Sequence, residues 1–177
     1  MRARTAGDRH SVMGHYVCDK VDDAWVDTAP VRLVNTVDIA ATPAQIWSAF
    51  EDATAWPRWA NVITHVEWTS PRPFGVGTTR TVTMRGGLIG YEEFISWEPH
   101  RRLGFRFNEA SMQGVRAFAE RYTLDPVPDG RTRVVWVMAM APSGVSKVIV
   151  PVTQLPMRLA FGRMLRRFGR LVEAEYR

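Results

Sequence analysis

The stretch from Val37 to Trp59, VDIAATPAQIWSAFEDATAWPRW, decides the fold of this chain. A strand of alternating polar and apolar residues leads into it, and Thr42-Pro43 then supplies an N-cap and a proline suited to the first turn of a helix. The helix that follows carries Ile46, Trp47 and Phe50 on one face. A second aromatic cluster, WPRW, comes after one short turn and predicts a second short helix.

The residues before this stretch form two regions. From Val31 to Ile39, apolar side chains recur at every second position, which predicts a strand with one buried face. Residues 1–29 show no such period, and their only apolar patch surrounds Trp25. We therefore expect an N-terminal arm over residues 1–29, ordered by docking of Trp25, and one ligand-binding domain over residues 30–177.

Strand signals dominate the next part of the chain. Runs rich in Val, Thr and aromatic residues, separated by turns rich in Gly and Pro, predict about six further strands. They cover residues 62–69, 78–84, 91–97, 103–108, 115–124 and 132–140. Asp129-Gly130 is a hairpin signal between the last two.

A long amphipathic helix closes the chain. From Leu155 onward, large apolar side chains recur at spacings of three and four, and Pro156 suits only the first turn of such a helix. Consecutive strands with short connections imply an antiparallel sheet, against which the helix must bury its apolar face. A curved sheet around a helix leaves space between them where a ligand can bind.

Composition and charge limit the classes of molecule that this protein is expected to bind. Hydrophobic residues make up 46% and charged residues 23% of the chain, as in ordinary globular proteins. The net charge of +5 comes from arginine, because Lys20 and Lys147 are the only lysines; a bacterial genome rich in Arg codons explains this, and an anionic ligand, lipid or nucleic acid is the alternative. No nucleic-acid-binding motif appears, so we expect no nucleic-acid partner. The N-terminus lacks the apolar core of a signal peptide, which predicts a cytoplasmic protein.

Residues that bind metals or act as nucleophiles are few and scattered. The histidines His10, His15, His65 and His100 do not cluster, and Cys18 is the only cysteine. No spacing of His, Cys and carboxylates resembles a metal site. The sequence therefore predicts no metal, no cofactor and no intramolecular disulfide.

Four segments together resemble the START-like (SRPBCC) superfamily and, within it, the polyketide cyclase/dehydrase-like branch. They are VDIAATPAQIWSAFEDATAWPRWANVI from residue 37, GVGTTRTVTM from residue 75, SWEPHRRLGFRF from residue 96 and RYTLDPVPDGRTRVVW from residue 121. Their order and spacing carry the resemblance, which covers residues 31–140 and agrees with a terminal helix.

The resemblance implies an α+β helix-grip fold. Its seven-stranded antiparallel sheet curves around the long C-terminal helix, and two short helices follow the first strand. The same fold hosts lipid carriers, hormone receptors, aromatic cyclases and oxygenase subunits, so the resemblance implies a pocket without naming a function. The aromatic residues of the opening stretch, Trp56 and Trp59 included, are expected to be scaffold and not ligand contacts.

Strand alternation assigns the side chains that face the interior. A bulge near Ser96 would reverse this assignment beyond it, and ordinary core packing explains many of the same residues. Aromatic rings and methionines suit a wall for an apolar or aromatic ligand. The candidate ligand-binding residues are Asn35, Met84, Phe94, Phe118, Tyr122, Trp136, Met138 and Met140.

Arg80, Glu92 and Glu120 fall on the same inward faces. Three ionisable groups in an apolar cavity must pair with each other or with polar groups of a ligand, because an unpaired buried charge costs several kcal/mol. They are the candidate catalytic residues, able to polarise a carbonyl and move a proton. A position on the solvent side of a twisted sheet is the alternative.

The apolar run Val145–Val152, VSKVIVPV, precedes the predicted helix. It fits a lid over the pocket, a dimer contact or a plain connection, so the protein is expected to be a monomer or a homodimer. The arginines of the helix form a solvated face, or contact anionic lipid at a membrane surface if the run inserts beside them.

Three functions follow from these patterns. The first is binding of a hydrophobic small molecule, aromatic, polyketide-like or lipid-like, between sheet and helix. The second is catalysis by an aromatase/cyclase or dehydratase. The third is a stress-response or co-chaperone-like interaction protein, which would have no sizeable cavity.

Overall fold

The computed structural model describes residues 14–176. In chain order its elements are β1 (Tyr16–Val17), α1 (Trp25–Thr28), β2 (Val31–Ile39), α2 (Pro43–Glu51), α3 (Trp56–Trp59), β3 (Ile63–Trp68), β4 (Thr79–Met84), β5 (Ile89–Glu98), β6 (Arg102–Ala110), β7 (Val115–Val127), β8 (Arg131–Pro142) and α4 (Ser146–Glu175). The strand order is β2-β8-β7-β6-β5-β4-β3, and every neighbouring pair is antiparallel. The curved sheet around a long helix confirms the predicted helix-grip fold.

The start of α2 follows directly from the sequence. The Thr42 hydroxyl accepts a hydrogen bond from the backbone N–H of Gln45 at 3.3 Å, and the Gln45 side chain accepts one from the Thr42 N–H at 2.8 Å. This capping box satisfies two donors that the helix itself cannot pair. It aims the apolar face of α2 at the interior, where Ile46 and Phe50 are fully buried.

Aromatic contacts join the three helices in front of the sheet. The ring of Phe168 in α4 stacks on Phe50 of α2 at 4.9 Å and lies 5.1 Å from Trp59 of α3. Leu165 and Val172, on the same side of α4, are also fully buried. The C-terminal half of α4 therefore packs tightly against the rest of the protein.

The described part of the arm packs on the outer surface of the sheet. β1 pairs with the end of β6, and Val26 of α1 is completely buried against Ala119, Val137 and Ala139. The predicted anchor, Trp25, packs on the same cluster but stays partly exposed. Residues 1–13 of the predicted arm lie outside the described residues.

The predicted start of the terminal helix is wrong. α4 begins at Ser146, so the run Val145–Val152 enters the helix instead of preceding it, and both Pro151 and Pro156 lie inside. Each proline removes one backbone hydrogen bond, to the carbonyls of residues 147 and 152. Those two residues are exposed, so water can satisfy their carbonyls and the helix continues. Among residues 14–176, no helix combines the length and apolarity needed to cross a bilayer.

The Thr42 cap gives the first testable prediction. Thr42→Ala removes the hydroxyl acceptor and should lower the free energy of unfolding by about 1 kcal/mol in urea denaturation. Thr42→Ser keeps the acceptor and is the matched control, expected within about 0.5 kcal/mol of wild type. Equal destabilisation by both substitutions would contradict a role for the hydroxyl.

Candidate ligand-binding cavity

A cavity of about 370 Å³ lies between the sheet and α4. Its wall is apolar apart from a few polar side chains, and partly exposed residues from three loops mark the mouth: Val62, Arg85, Leu88 and Met112. The inward residues predicted from strand alternation supply much of the wall. They are Arg80, Met84, Glu92, Phe118, Glu120, Tyr122, Trp136, Met138 and Met140.

Two predicted ligand-binding residues lie outside this wall. Asn35 faces α4 at Gly162, and its Oδ1 would lie only 2.9 Å from a Cβ placed on that glycine. Because the helix crosses β2 so closely there, no cavity remains beside Asn35. Phe94 faces inward but is fully buried between Trp68 and Phe105, at ring distances of 5.3 and 5.6 Å.

Other wall residues were not predicted as ligand contacts. Trp56 and Trp59, expected as scaffold, also line the cavity. Their double role arises because α3 crosses the end of the cavity on its way to β3. Further additions include Phe105 and Phe107 on β6 and Met157, Phe161 and Met164 on α4. Two sequence patterns could have identified them. Alternation on β6 puts Phe105 and Phe107 on one face, and spacings of three and four put the α4 residues on one face of the helix.

Arg80 and Glu92 form a buried ion pair across neighbouring strands. They are direct partners in the β4–β5 register, and the Arg80 Nε donates to Glu92 Oε2 at 2.5 Å. The side chains are 0% and 4% exposed. Burial raises the pKa of Glu92, and the adjacent guanidinium opposes that rise.

Aromatic rings surround the guanidinium of Arg80. Its central carbon lies 4.0 Å from the Trp56 ring and 4.6 Å from the Phe105 ring. A cation over an aromatic face gains electrostatic stabilisation, and more so when water is excluded. The rings therefore fix the plane of the guanidinium without using its N–H groups.

The terminal nitrogens of Arg80 have no acceptor. Nη1 and Nη2 are both buried, and neither finds a hydrogen-bond partner among residues 14–176. A buried donor without an acceptor costs on the order of 1 to 3 kcal/mol, and more when it is charged. Arg80 lines the cavity, but its side chain is 0% exposed, so Nη1 and Nη2 lie just beneath the wall, and a ligand oxygen reaches them when a neighbouring wall side chain shifts.

Glu120 is the second polar group of the wall. Its Oε2 accepts hydrogen bonds from the Tyr122 hydroxyl at 2.8 Å and from the Trp136 indole N–H at 3.0 Å. Its Oε1 makes no hydrogen bond with any described residue. The carboxyl group is thus oriented by two neighbours and keeps one oxygen for a ligand.

A family model described as polyketide cyclase / dehydrase and lipid transport matches residues 30–174. This match covers most of the chain. The chain belongs to this family. Within residues 14–176 of this family member, no three His, Cys, Asp or Glu side chains come together as a metal site requires.

Known proteins resemble this family member at two levels. An uncharacterized protein of Mycobacterium tuberculosis is 48% identical over 161 residues, which are 91% of this chain and 96% of the relative. The crystal structure of the Zhui aromatase/cyclase from a Streptomyces species superposes with a TM-score of 0.69 at 13% identity, over 83% of this chain and 96% of that one. A START superfamily protein from Mycobacterium smegmatis gives a TM-score of 0.55 at 14% identity, over 75% and 96%. At such low identity these structures establish the fold alone.

The electrostatics of Glu120 differ from those of an exposed carboxylate. Burial, and then the negative charge of Glu92, raises its pKa from 4.5 to about 8, although bonds from Tyr122 and Trp136 and the charge of Arg80 pull it down. The carboxyl group therefore keeps its proton at neutral pH. Burial and the Glu120 carboxyl also raise the pKa of Tyr122 well above 10.0, so its phenol stays a donor.

This pKa predicts a stability that depends on pH. Between 4.5 and about 8 the folded chain holds the Glu120 proton and the unfolded chain does not, so the free energy of unfolding falls as the pH rises. The fall attributable to Glu120 should be roughly 3 to 5 kcal/mol, measured by urea denaturation at a series of pH values across that window. Glu92 adds a fall of the same sign.

Glu120→Gln should flatten this slope, because the amide does not titrate. Glu67→Gln, at an exposed position on β3, controls for the loss of one surface carboxyl. A slope that is the same in Glu120→Gln and wild type would contradict the assignment of the buried proton to Glu120.

Proposed function

We propose that this protein binds an apolar, ring-containing small molecule through a carbonyl oxygen that accepts hydrogen bonds from Arg80. The observation that carries the proposal is the pair of unpaired, buried Arg80 nitrogens in an otherwise apolar cavity. Family and fold support hydrophobic ligand binding or a role like that of polyketide cyclases. A sizeable cavity also disfavours a pure interaction protein.

The cavity volume sets the size of the ligand. About 370 Å³ lies at the small end of the range of roughly 300 to 1,000 Å³ for small-molecule sites. A fused aromatic system or a folded acyl chain of modest length fits this space. Trp59, Phe107 and Met138 offer it flat or adaptable apolar contacts.

The charges of the wall favour a neutral oxygen over an anion. The positive charge of Arg80 is balanced by Glu92, and Glu120 is protonated at neutral pH. Apart from Arg85 at the exposed mouth, the wall has no net charge, so a carboxylate deep in the cavity would be uncompensated, which is costly. A carbonyl oxygen accepts from Nη1 or Nη2 without that cost.

A matched ligand pair tests the proposal. Methyl naphthyl ketone and ethylnaphthalene have nearly the same shape and differ in one carbonyl oxygen. We expect wild type to bind the ketone about tenfold more tightly, the effect of one hydrogen bond from a charged donor. Quenching of the cavity tryptophans Trp56, Trp59 and Trp136 reports binding directly.

Arg80→Met/Glu92→Met should abolish this preference while keeping the fold. Removing both partners of a buried ion pair avoids the cost of roughly 3 to 5 kcal/mol that follows when one charge is left unpaired. Met138→Leu changes the wall without touching a polar group and should keep the preference. Equal affinity of wild type for the two ligands, or an unchanged preference in the double variant, would overturn the proposal.

Catalysis by a dehydratase or aromatase/cyclase is the second candidate function, favoured by the buried proton of Glu120. In a β-hydroxy ketone bound at Arg80, the Glu92 carboxylate would take the α-proton and Arg80 would stabilise the enolate oxygen. Glu120 would then protonate the departing hydroxyl, which leaves as water. The two carboxyl groups exchange protonation states, and one proton transfer between them resets the site.

The conversion of β-hydroxybutyrophenone to crotonophenone, followed by absorbance, tests this second candidate. Glu120→Gln should lower kcat by at least about a hundredfold, the contribution of a general acid. Its affinity for methyl naphthyl ketone should stay within about threefold of wild type, since Arg80 is intact. No turnover above buffer by wild type would exclude this reaction and leave the binding proposal standing.

A further inference from the structure

The outward face of α4 is apolar over its first four turns. Six large apolar side chains on it are 50–79% exposed: Val145, Val148, Ile149, Val152, Leu155 and Leu159. Their spacings of three and four residues align them as one stripe about 21 Å long, which we call the apolar stripe. The opposite face of the helix, with Met157, Phe161 and Met164, lines the cavity, so the apolar stripe points away from it.

Arginines continue the same face where the apolar stripe ends. Arg163, Arg166, Arg167 and Arg170 follow Leu159 at the same spacings of three and four, and all four are exposed. Among residues 14–176, none of them forms an ion pair. The first acidic residue of α4 is Glu173, three residues after Arg170, so the other three arginines have no carboxylate within one turn of the helix. We call these four residues the arginine patch.

An anionic bilayer surface matches both halves of this face. A helix lying in the interface buries its apolar side chains at the boundary of headgroups and acyl chains, and its cations meet lipid phosphates. A second copy of this chain packed stripe against stripe would cover the apolar residues, but the carboxylates of its α4, Glu173 and Glu175, lie at the far end of the helix from its stripe. The net charge of +5 adds attraction of the same sign.

We propose that α4 docks this protein on the surface of an anionic phospholipid bilayer, with the apolar stripe inserted and the arginine patch against the phosphates. The helix lies on the membrane without crossing it. Docking in this way brings the cavity to within about one helix diameter of the lipid, since one helix carries both surfaces. The inference stands on the outer face of α4 and does not depend on what the cavity binds.

Co-sedimentation with vesicles tests the docking. The full chain, without added ligand, should sediment with vesicles of equal parts phosphatidylcholine and phosphatidylglycerol and much less with vesicles of phosphatidylcholine alone. High salt should weaken the binding, because it screens the arginine patch. Arg166→Gln/Arg167→Gln should weaken it by about thirtyfold, at about 1 kcal/mol for each cation near the surface.

Matched controls separate docking from general charge and general apolarity. Arg101→Gln/Arg116→Gln removes two other exposed arginines, with side chains 80% and 64% exposed, and should change binding by less than about threefold. Val148→Ser/Val152→Ser should weaken binding by at least about tenfold, through lost apolar burial. Serine and valine have similar helix propensity, so α4 itself should persist. Val34→Ser/Val76→Ser changes two exposed valines elsewhere and should bind like wild type.

Three outcomes would overturn the proposal. The full chain does not sediment with the anionic vesicles; it sediments equally with both vesicle types; or the stripe and control variants bind alike. Sedimentation velocity of the same variants shows whether the stripe joins two copies instead. A dimer that Val148→Ser/Val152→Ser dissociates, without vesicle binding by wild type, would assign the stripe to self-association.

Discussion

The packing of Phe168 against Phe50 and Trp59 is the contact on which the rest of the structure depends. It anchors only the C-terminal half of α4, because Leu165, Phe168 and Val172 are the fully buried residues of that helix. The N-terminal half stands off from the sheet on longer, partly buried side chains, among them Met157 and Phe161. Because only the C-terminal half of α4 packs tightly, a space remains between its N-terminal half and the sheet, and this space is the cavity. The outer face of the same half is exposed.

The cavity explains why Arg80 and Glu92 are buried as charges. An ion pair removed from water seldom adds net stability, and a chain that needed only a core would gain by replacing Arg80 and Glu92 with apolar residues. Here the pair fixes Nε, while Trp56 and Phe105 lie against the guanidinium. Four N–H bonds on Nη1 and Nη2 are left without an acceptor among the described residues. These unpaired donors destabilise the protein, and an acceptor that binds them removes that cost, which adds to its affinity.

Much of this arrangement could be predicted from sequence because strands have an exact period. Alternation along β4, β7 and β8 placed Arg80, Glu120 and Trp136 on inward faces, and the structure has all three in the cavity wall. Asn35 shares an inward face as well, but alternation says nothing about how closely a helix crosses a strand. Gly162 permits that close approach, but it lies 127 positions along the chain from Asn35, beyond the reach of any local pattern.

Other features depend on three-dimensional context and escaped prediction. The rule that a proline interior to a helix is unfavourable placed the start of α4 too late, because it ignores solvent as a partner for freed carbonyls. Trp56 and Trp59 were assigned to the scaffold because their motif identifies the fold. That motif carries no information about whether the rings also line the cavity, as they do. The protonation of Glu120 depends on burial and on Glu92, two strands away in the sheet, which no local pattern encodes.

Two costs stand out among residues 14–176. Inside, the Arg80 donors lack acceptors; outside, the apolar stripe is exposed. Other parts of the chain follow ordinary rules: the Thr42 cap is complete, and the arm buries Val26 on the outer surface of the sheet. A marginally stable domain tolerates such destabilising features best where binding of a ligand or partner stabilises the folded state in return. An apolar molecule with one polar oxygen would offset the first cost and a lipid surface the second, and α4 contributes to both binding surfaces, with its inner face in the cavity wall and its outer face bearing the stripe.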